Sequence, residues 1–411
     1  MDGFFKGLWD KKSVRYAVII VLTLMALVSL VQGVRNAVLF SQDFQWDAAK
    51  AFTLKMNPYD ESMHPGTYPD ASVFREYYLQ MEANQFPSLL MLLIPYTFLP
   101  PLAARYAWIV SNLVFTAGII ILLKKTFLKD AGRDEFIAFM LLMIAGTPYR
   151  NQLGVGQHTL FAFFFFLLAV WFEGMYQAEE NAPASADGIR HEKPQLGLFA
   201  AVVICLFICY FKYTLTVPLC LYFVYKKRYI EIAVSAFMHV ILTVVSAWWL
   251  NDSFINMIIK PLKVSSALSG EGGLDFGVLL GGSLFAYVLA FAVMALLFVL
   301  AFKLDKGEDG AFMSVLILWS LIITYHRTYD FFVLAAVYSY FLKKERPLVL
   351  RAGYAAVLFA VFFVLRIFSE SAASKAAVGA IYYAFTVTMT VMLLKDGNRY
   401  EGQPVHSDTG V

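Results

Sequence analysis

The sequence predicts an all-α protein that crosses a membrane many times, and three features carry this prediction. Of its 411 residues, 60% are hydrophobic and 15% are charged, whereas average soluble domains carry about 25% charged residues. Apolar runs close to the ~20 residues that a helix needs to cross a bilayer recur along the whole chain. Lysines and arginines concentrate in some of the polar stretches between these runs, as they do in cytoplasmic loops.

The first apolar run covers residues 16–40 and follows a basic stretch at the start of the sequence. No cleavage site of the kind that ends a signal peptide follows this run, so we expect it to remain as a membrane helix. The positive-inside rule then places the N-terminus in the cytoplasm and residues 41–86, a long acidic loop, outside.

The next segment, residues 87–101, is apolar but interrupted by prolines. We expect it to be re-entrant or interfacial, because a full crossing here would place Lys124 and Lys125 on the outer side. The second span is then residues 102–123.

Two further stretches have a less regular pattern. The short apolar stretch 135–146 is expected to cross and to be followed by an outer turn, residues 147–158. Residues 196–225 favour a hairpin with Lys212 at its outer tip, because a single helix would send the basic cluster 226–229 outside.

The remaining apolar runs are expected to cross once each, which makes about 11–13 transmembrane helices in total. They cover residues 159–172, 230–250, 278–302, 349–368 and 376–394, with two more that end at Tyr325 and just before the basic residues 343–346. Residues 1–394 would form a single transmembrane domain and residues 395–411 a polar tail, with both termini in the cytoplasm.

Composition and cysteine usage argue against several other classes of protein. A formal net charge of +3 is too small to indicate a nucleic-acid partner. Cys205, Cys209 and Cys220 all lie within apolar runs, so we expect buried, unreactive thiols rather than disulfides. The histidines and cysteines have no recognisable metal-ligand spacing, and we expect neither a metal nor another cofactor.

With this orientation, most of the polar residues that are suited to chemistry fall on the outer side. Ionisable residues at membrane depth are costly and are usually functional. Their collection on one face favours a single outward-facing site over a transport path, although outer loops contain polar residues in any case. The set consists of Asp43, Asp47, His64, Arg150, Gln157, His158, Lys212, Lys263, Asp275, His326, Arg327 and Asp330.

Six short motifs occur in an order that is typical of one family. They are DFQWDAA, NPYD, the proline-broken run FPSLLMLLIPYTFLPPLAARYAWIVSN, GQHTLFAFFFFLLAVW, FKYTLTVPLCLYFVYKKRY and YHRTYDFFVL. From about residue 16 to residue 342, the chain therefore resembles glycosyltransferase family 87. This resemblance implies a GT-C-like membrane bundle and an inverting mannosyltransferase that uses a polyprenyl-phosphate-mannose donor. It also implies an essential aspartate in the first outer loop, which here matches Asp43.

Inverting glycosyl transfer needs a carboxylate that takes the proton of the acceptor hydroxyl as this hydroxyl attacks the anomeric carbon. Asp43 suits the role because it follows the first span by only a few residues, so its position can be fixed. Asp47 lies four residues further on and would share a face with Asp43 on a helix, where it could orient Asp43 or bind sugar hydroxyls. The alternative is that both are solvated loop acids or a helix N-cap.

The departing lipid phosphate needs cations, which act most strongly in a dry site. Lys212 is the best candidate because it interrupts an apolar run, and the alternative is a lysine that snorkels to the interface. Arg150 and Arg327 are further candidates, for which a structural role is the favoured alternative.

Two polar pairs complete the predicted substrate site. Gln157 and His158 follow a turn glycine at a helix start, where they could bind sugar hydroxyls or cap the helix. His326 and Asp330 are four residues apart and could carry a proton or hold the sugar, or else stabilise their own loop.

The sequence thus predicts a membrane glycosyltransferase that acts at the outer face of the cell membrane. Its expected partners are a polyprenyl-phosphate-linked sugar donor, a glycan or glycolipid acceptor, and membrane lipid. Two other classes remain open, a flippase or transporter of lipid-linked saccharide and a non-catalytic assembly subunit.

Overall fold

The computed structural model consists of helices joined by turns and irregular segments, and it contains no strand among the residues that it describes. These residues are 9–64, 83–180, 194–267, 273–304, 308–343, 346–364 and 372–398. Within them, seven helices are long and apolar enough to cross a membrane, so the predicted all-α polytopic membrane class is confirmed. Parts of the predicted acidic loop and of the polar tail lie outside the described residues.

The α-helices described up to residue 180 are eight in number. They are α1 Lys12–Leu39, α2 Trp46–Thr53, α3 Pro58–Met63, α4 Pro87–Thr97, α5 Pro101–Lys125, α6 Arg133–Ala145, α7 Thr147–Val155 and α8 Thr159–Glu180.

The described helices of the second half include long membrane helices and several short ones. They are α9 Pro194–Cys209, α10 Tyr213–Leu219, α11 Leu221–Tyr225, α12 Tyr229–Trp249, α13 Phe254–Ala267, α14 Phe276–Leu279, α15 Leu284–Lys303, α16 Asp309–Ile323, α17 Leu348–Phe359 and α18 Ala372–Asn398.

Helices α6 and α7 together run alongside most of α1. Near one end, Arg15 forms an ion pair with Asp134 at 3.3 Å, and towards the other end Arg150 donates to Gln32 at 3.0 Å. The prediction of an outer turn at residues 147–158 is therefore wrong, because α7 completes the crossing that α6 begins. The stretch looked like a loop because it is polar, but much of it faces the protein interior.

The chain reverses at Tyr210–Lys212, so residues 196–225 form the predicted hairpin. The Thr216 hydroxyl donates to the carbonyl of Cys209 at 2.8 Å, although seven residues of straight helix would separate them by about 10 Å. The segment Leu196–Leu219 is long and apolar enough for one span, but this turn divides it.

The returning arm of the hairpin, α10 and α11, lies antiparallel to α16. At one end the Thr324 hydroxyl donates to the carbonyl of Thr214 at 2.9 Å. At the other end Lys226 forms an ion pair with Asp309 at 2.8 Å. We call the end that carries Thr214 and Thr324 the site end of the bundle.

Two elements differ from ordinary membrane helices. Helix α4 is 11 residues long, about half of the ~20 residues that cross a bilayer, and the re-entrant placement of residues 87–101 stays a prediction. Thr328–Phe341 is a 3₁₀ helix of 14 residues that packs, almost wholly buried, against α16. Because a 3₁₀ helix rises about 2.0 Å per residue, it reaches further than an α-helix of equal length.

An aromatic cluster supports the segment that follows α1. The ring of Phe44 stacks on Trp108 of α5, with centroids 5.0 Å apart, and meets Tyr96 of α4 edge-on at 5.6 Å. Phe44 and Trp108 are buried. Such aromatic pairs contribute about 0.5–1.5 kcal/mol beyond the burial of their area, so they hold this segment against α4 and α5.

Candidate active site

Asp43 lies on a short 3₁₀ turn, Gln42–Phe44, directly after α1. The flanking residues Ser41 and Gln45 have left-handed backbones, with φ of 41° and 61°. Left-handed non-glycine residues cost about 1–3 kcal/mol each and persist only where the surroundings hold them. Here the Ser41 hydroxyl donates back to the last turn of α1 at 2.5 Å, and Phe44 is fixed in the aromatic cluster. The backbone therefore sets the direction of the Asp43 side chain.

Four side chains from distant parts of the chain converge on Asp43. The amide of Gln157 donates to the Asp43 carboxylate at 3.4 Å and to the Tyr329 hydroxyl at 2.9 Å. The Tyr329 hydroxyl in turn donates to Asp43. Lys212 and Arg327 add positive charge close enough to act on this carboxylate. The structure thus brings together four of the candidate site residues, Asp43, Gln157, Lys212 and Arg327.

Burial and the neighbouring groups act on the pKa of Asp43 in opposite directions. Burial raises the pKa of Asp43 above its usual 3.8, and this effect outweighs the lowering by Lys212, Arg327 and the Tyr329 hydrogen bond. A carboxylate with a raised pKa takes up a proton more readily, provided that it is ionised at the working pH. Asp43 therefore has the character of a general base.

Asp330 holds Lys212 in place at the tip of the hairpin. The Lys212 ammonium lies 3.5 Å from the Asp330 carboxylate and 5.6 Å from the centre of the Tyr329 ring. Asp330 also accepts hydrogen bonds from the Thr159 hydroxyl and from Nδ1 of His326 at 2.7 Å. Because an unpaired charge is costly in a protein interior, this arrangement keeps a cation beside the site.

Three predicted substrate-binding residues have 0% of their surface exposed, namely His158, His326 and Asp330. They are placed to support the site rather than to touch a sugar. Asp330 pairs with Lys212, His326 donates to Asp330, and the ring of His158 lies 5.3 Å from that of Trp108. Burial lowers the pKa of His158 to about 3, so its imidazole is uncharged at neutral pH.

A glycine turn between α7 and α8 delivers Gln157 to the site. Gly156 has a φ of 72°, which favours glycine. Its carbonyl accepts a hydrogen bond from Nε1 of Trp108 at 2.7 Å, and a Cβ here would lie 3.3 Å from the Ser41 hydroxyl. The turn is therefore packed on both sides, and its geometry fixes where Gln157 points.

Asp47 lies in a separate environment in the first turn of α2. The left-handed Gln45 separates α2 from the turn that carries Asp43, so the expectation that both aspartates share one helical face is wrong. Asp47 lines a polar cavity of about 20 Å³ together with Arg105. Burial raises the pKa of Asp47 to about 7, against the lowering effect of Arg105.

Arg150, predicted to bind phosphate, is directed elsewhere. Its guanidinium donates to Gln32 of α1 at 3.0 Å and to the Thr147 hydroxyl at 3.4 Å. The physical reason is the continuation of the crossing through α7, which packs this residue alongside α1. Arg327, rather than Arg150, lies beside Asp43.

Sequence reasoning did not single out Tyr329 or Arg105. Tyr329 lies within the HRTYD stretch, and its place between two predicted site residues, Arg327 and Asp330, was a usable signal. Arg105 lies in α5, three residues before Trp108, and nothing in its local sequence links it to Asp47. Only the folded chain brings that pair together.

An apolar cavity of about 530 Å³ opens beside the hairpin tip. Phe211 and Tyr213, the two neighbours of Lys212, both line it. The other walls come from α4, from the α10–α11 arm, and from α12, α13 and α15. His239 in this wall is hydrogen-bonded to Ser88 at 2.8 Å. The cavity therefore borders the turn whose backbone carries Lys212.

The comparisons with known proteins give one result. The family model described as glycosyltransferase family 87 matches residues 87–325, which is more than half of the chain. No curated protein and no solved structure matches. The matched region includes Gln157, Lys212 and every wall residue of the apolar cavity except Phe86. The chain therefore belongs to glycosyltransferase family 87 and is a membrane glycosyltransferase, which acts on a sugar donor and an acceptor.

Proposed function

We propose that this glycosyltransferase moves a hexose, with mannose as the first candidate, from a polyprenyl-phosphate carrier to a glycan or glycolipid acceptor at the outer face of the membrane. The observation that carries the proposal is the position of Asp43. Its carboxylate stands beside two cations, Lys212 and Arg327. The two sequence neighbours of Lys212, Phe211 and Tyr213, line a large apolar cavity.

The proposed reaction uses these groups in one displacement. An acceptor hydroxyl oxygen attacks the anomeric carbon, and Asp43 takes the hydroxyl proton. The bond between the anomeric carbon and the phosphate oxygen breaks on the opposite side of the sugar, and its electron pair leaves with the lipid phosphate. Lys212 and Arg327 stabilise that charge. The anomeric configuration inverts because attack and departure occur on opposite faces.

The chemistry of the cavity supports a lipid-linked donor. Its lining is apolar and rich in aromatic rings, including Phe86, Tyr210 and Phe254. A prenyl tail that leaves the lipid for this cavity exchanges one apolar environment for another, so its entry uncovers no polar group. Guanidinium and ammonium groups suit the phosphate that joins tail to sugar.

The remaining site residues have proposed roles that follow from their contacts. Gln157 and Tyr329 orient the Asp43 carboxylate, and Gln157 is placed to reach sugar hydroxyls as well. His158, His326 and Asp330 support these groups from within the protein. Asp47 with Arg105 forms a second polar position close to the same segment, which suits hydroxyl groups of the acceptor.

The test uses purified protein in liposomes with polyprenyl-phosphate-mannose and a candidate glycolipid acceptor. We expect a new glycosidic bond of inverted configuration, detected by mass spectrometry and nuclear magnetic resonance. Movement of the labelled donor across the bilayer without any new bond would support a flippase instead. Absence of both bond formation and transport with every polyprenyl-phosphate hexose tried would refute the proposed donor.

A further inference from the structure

The membrane interior behind the active site contains an unusual pair of amides. Asn112 lies in the middle of α5 and Gln152 in α7, and they are 1% and 0% exposed. Both polar atoms of the Asn112 amide, and Oε1 of Gln152, have no hydrogen-bond partner among the described residues. Buried polar groups in proteins are almost always bonded, so orphaned amides at membrane depth call for a ligand.

Two hydrogen bonds show that the amides occupy the same layer between α5 and α7. Nε1 of Trp108 donates to the carbonyl of Gly156 at 2.7 Å, and the hydroxyls of Thr116 and Tyr149 are 3.0 Å apart. Asn112 lies one helical turn from each of its two α5 neighbours. Gln152 lies between the corresponding α7 positions, so both amides fall between the two bridges.

Gln152 connects this layer to the catalytic carboxylate. Its Nε2 donates to the backbone carbonyl of Gln157 at 2.5 Å. The backbone N–H of Gln157 donates to the Gln152 carbonyl at 3.3 Å. The Gln157 side chain in turn contacts Asp43 at 3.4 Å. Whatever holds the Gln152 amide therefore helps to set the position of Gln157 at the site.

We infer that Asn112 and Gln152 bind an enclosed water molecule between α5 and α7, through which Asn112 positions Gln157 and hence Asp43. The atoms without a partner are Nδ2 and Oδ1 of Asn112 and Oε1 of Gln152. Water suits this set because it can both donate and accept hydrogen bonds. A buried water molecule typically makes about three hydrogen bonds to such groups. Asn112 is a positioning residue here, because it touches neither sugar nor lipid. The catalytic part of this inference rests on the proposed function.

The activity test compares Asn112→Leu with a conservative variant, Asn112→Ser, and with a control. Leucine has a similar volume but no polar atom, whereas serine keeps a hydroxyl and leaves room for water. The control, Thr386→Val, removes a buried hydroxyl that bonds within α18, away from the site. We expect Asn112→Leu to lower kcat by up to about 100-fold, the order of loss for a misplaced catalytic group, with little change in KM for the donor. The acid limb of its pH profile should shift, because Asp43 loses a fixed neighbour.

Asn112→Ser should recover most of the turnover, and Thr386→Val should match the parent protein. If Asn112→Leu keeps the parent turnover and pH profile, the positioning role is refuted. If the parent protein itself shows no transfer, it is the proposed function that fails. A second measurement is independent of activity. A high-resolution experimental structure should show a solvent atom within hydrogen-bonding distance of both amides, and a direct amide–amide bond or a dry gap would overturn the inference.

Discussion

At the scale of single residues, the site depends on how three charges share a space with little water. Asp43 is half-buried, Lys212 is buried beside Asp330, and Arg327 completes the group. Burial alone would favour a neutral Asp43, whereas the two cations favour its ionised form. The tyrosine hydroxyl of Tyr329 and the Gln157 amide give the carboxylate a direction. The groups that act on the pKa of Asp43 therefore also hold its carboxylate in place.

The Lys212–Asp330 ion pair predicts a separation of stability from activity. Lys212→Met leaves a buried aspartate without its cation, and loss of one partner of a buried pair costs about 3–5 kcal/mol. The double variant Lys212→Met with Asp330→Asn removes both charges, so it should recover most of that stability but no transfer. Unfolding in detergent and a transfer assay measure the two effects. If the double variant regained turnover, Lys212 would have no role in transfer beyond pairing with Asp330.

The raised pKa of Asp43 predicts a pH dependence of the rate. A base must be ionised, so turnover should fall as pH drops through a midpoint above 3.8, the usual value for aspartate. Tyr329→Phe removes a hydrogen bond that lowers this pKa, and should therefore move the midpoint upwards. Tyr222→Phe, which loses a hydrogen bond to Asp309 at the opposite end of the bundle, serves as the control.

The same shift has a consequence for stability. Because folding raises the pKa of Asp43, the folded protein binds this proton more tightly than the unfolded chain. Its contribution to stability is therefore present at low pH and is lost as pH rises through the folded-state pKa.

The pH–rate profile also states what would contradict the described environment of Asp43. One such result is a profile of Tyr329→Phe whose midpoint equals that of the parent protein. The other is a parent midpoint at the ordinary aspartate value.

At the scale of elements, the site is assembled from the ends of helices and from the turns between them. The turn after α1 carries Asp43, the α7–α8 turn carries Gln157, and the hairpin tip carries Lys212. The fourth contribution, Arg327 with Tyr329, comes from the start of the 3₁₀ helix after α16. Each turn is held by packing within the membrane bundle, so the catalytic geometry depends on elements that have no catalytic group.

The α7–α8 turn provides a direct test of this dependence. Gly156→Ala forces a left-handed backbone on alanine and brings its Cβ to 3.3 Å from Ser41. We expect a loss of about 1–2 kcal/mol of stability and a clear drop in turnover, because Gln157 moves. The matched control is Gly174→Ala in α8, where nothing lies within 4 Å of the added Cβ. That variant should gain about 0.5–1 kcal/mol and keep its turnover. Equal behaviour of the two variants would refute the role of the turn.

Element boundaries show what local sequence could predict and what it could not. The hairpin at residues 196–225 was predictable, because the charge of Lys212 and the basic cluster that follows it can both be accommodated only by a reversal. The second half of the α6–α7 crossing was not, because Gln152 and Arg150 make α7 look like a loop. Polar residues that face a buried site cannot be told from polar residues that face water by composition alone.

At the scale of the whole molecule, composition was sufficient to predict the class of membrane protein, and the order of the motifs was sufficient to predict the family. The arrangement of the site residues becomes visible only in the folded structure. Asp43 and Lys212 are far apart in sequence, and Arg105 meets Asp47 only because α5 returns past the end of α1. Long-range pairs of this kind leave no signal in one sequence, whereas helices of about 20 apolar residues do.

The proposed outer-face orientation predicts which positions an impermeant thiol reagent reaches in intact cells. The three native cysteines are buried, so background labelling should be low. Asp60→Cys, placed near the site end, should react in intact cells, whereas Lys129→Cys, at the opposite end, should react only after permeabilisation. The reverse pattern would place the site in the cytoplasm and would contradict the proposed location.

The role of Asp43 as the base is the central claim, and single-turnover kinetics with bound donor test it most directly. Asp43→Asn keeps the shape of the side chain but cannot accept the proton. The account predicts that this variant binds the polyprenyl-phosphate donor with nearly unchanged affinity but transfers the sugar about 10²–10⁴-fold more slowly. Asp60→Asn, which changes a half-exposed aspartate paired with Lys260, should keep the parent rate. Transfer by Asp43→Asn at the parent rate, with donor binding intact, would contradict the account.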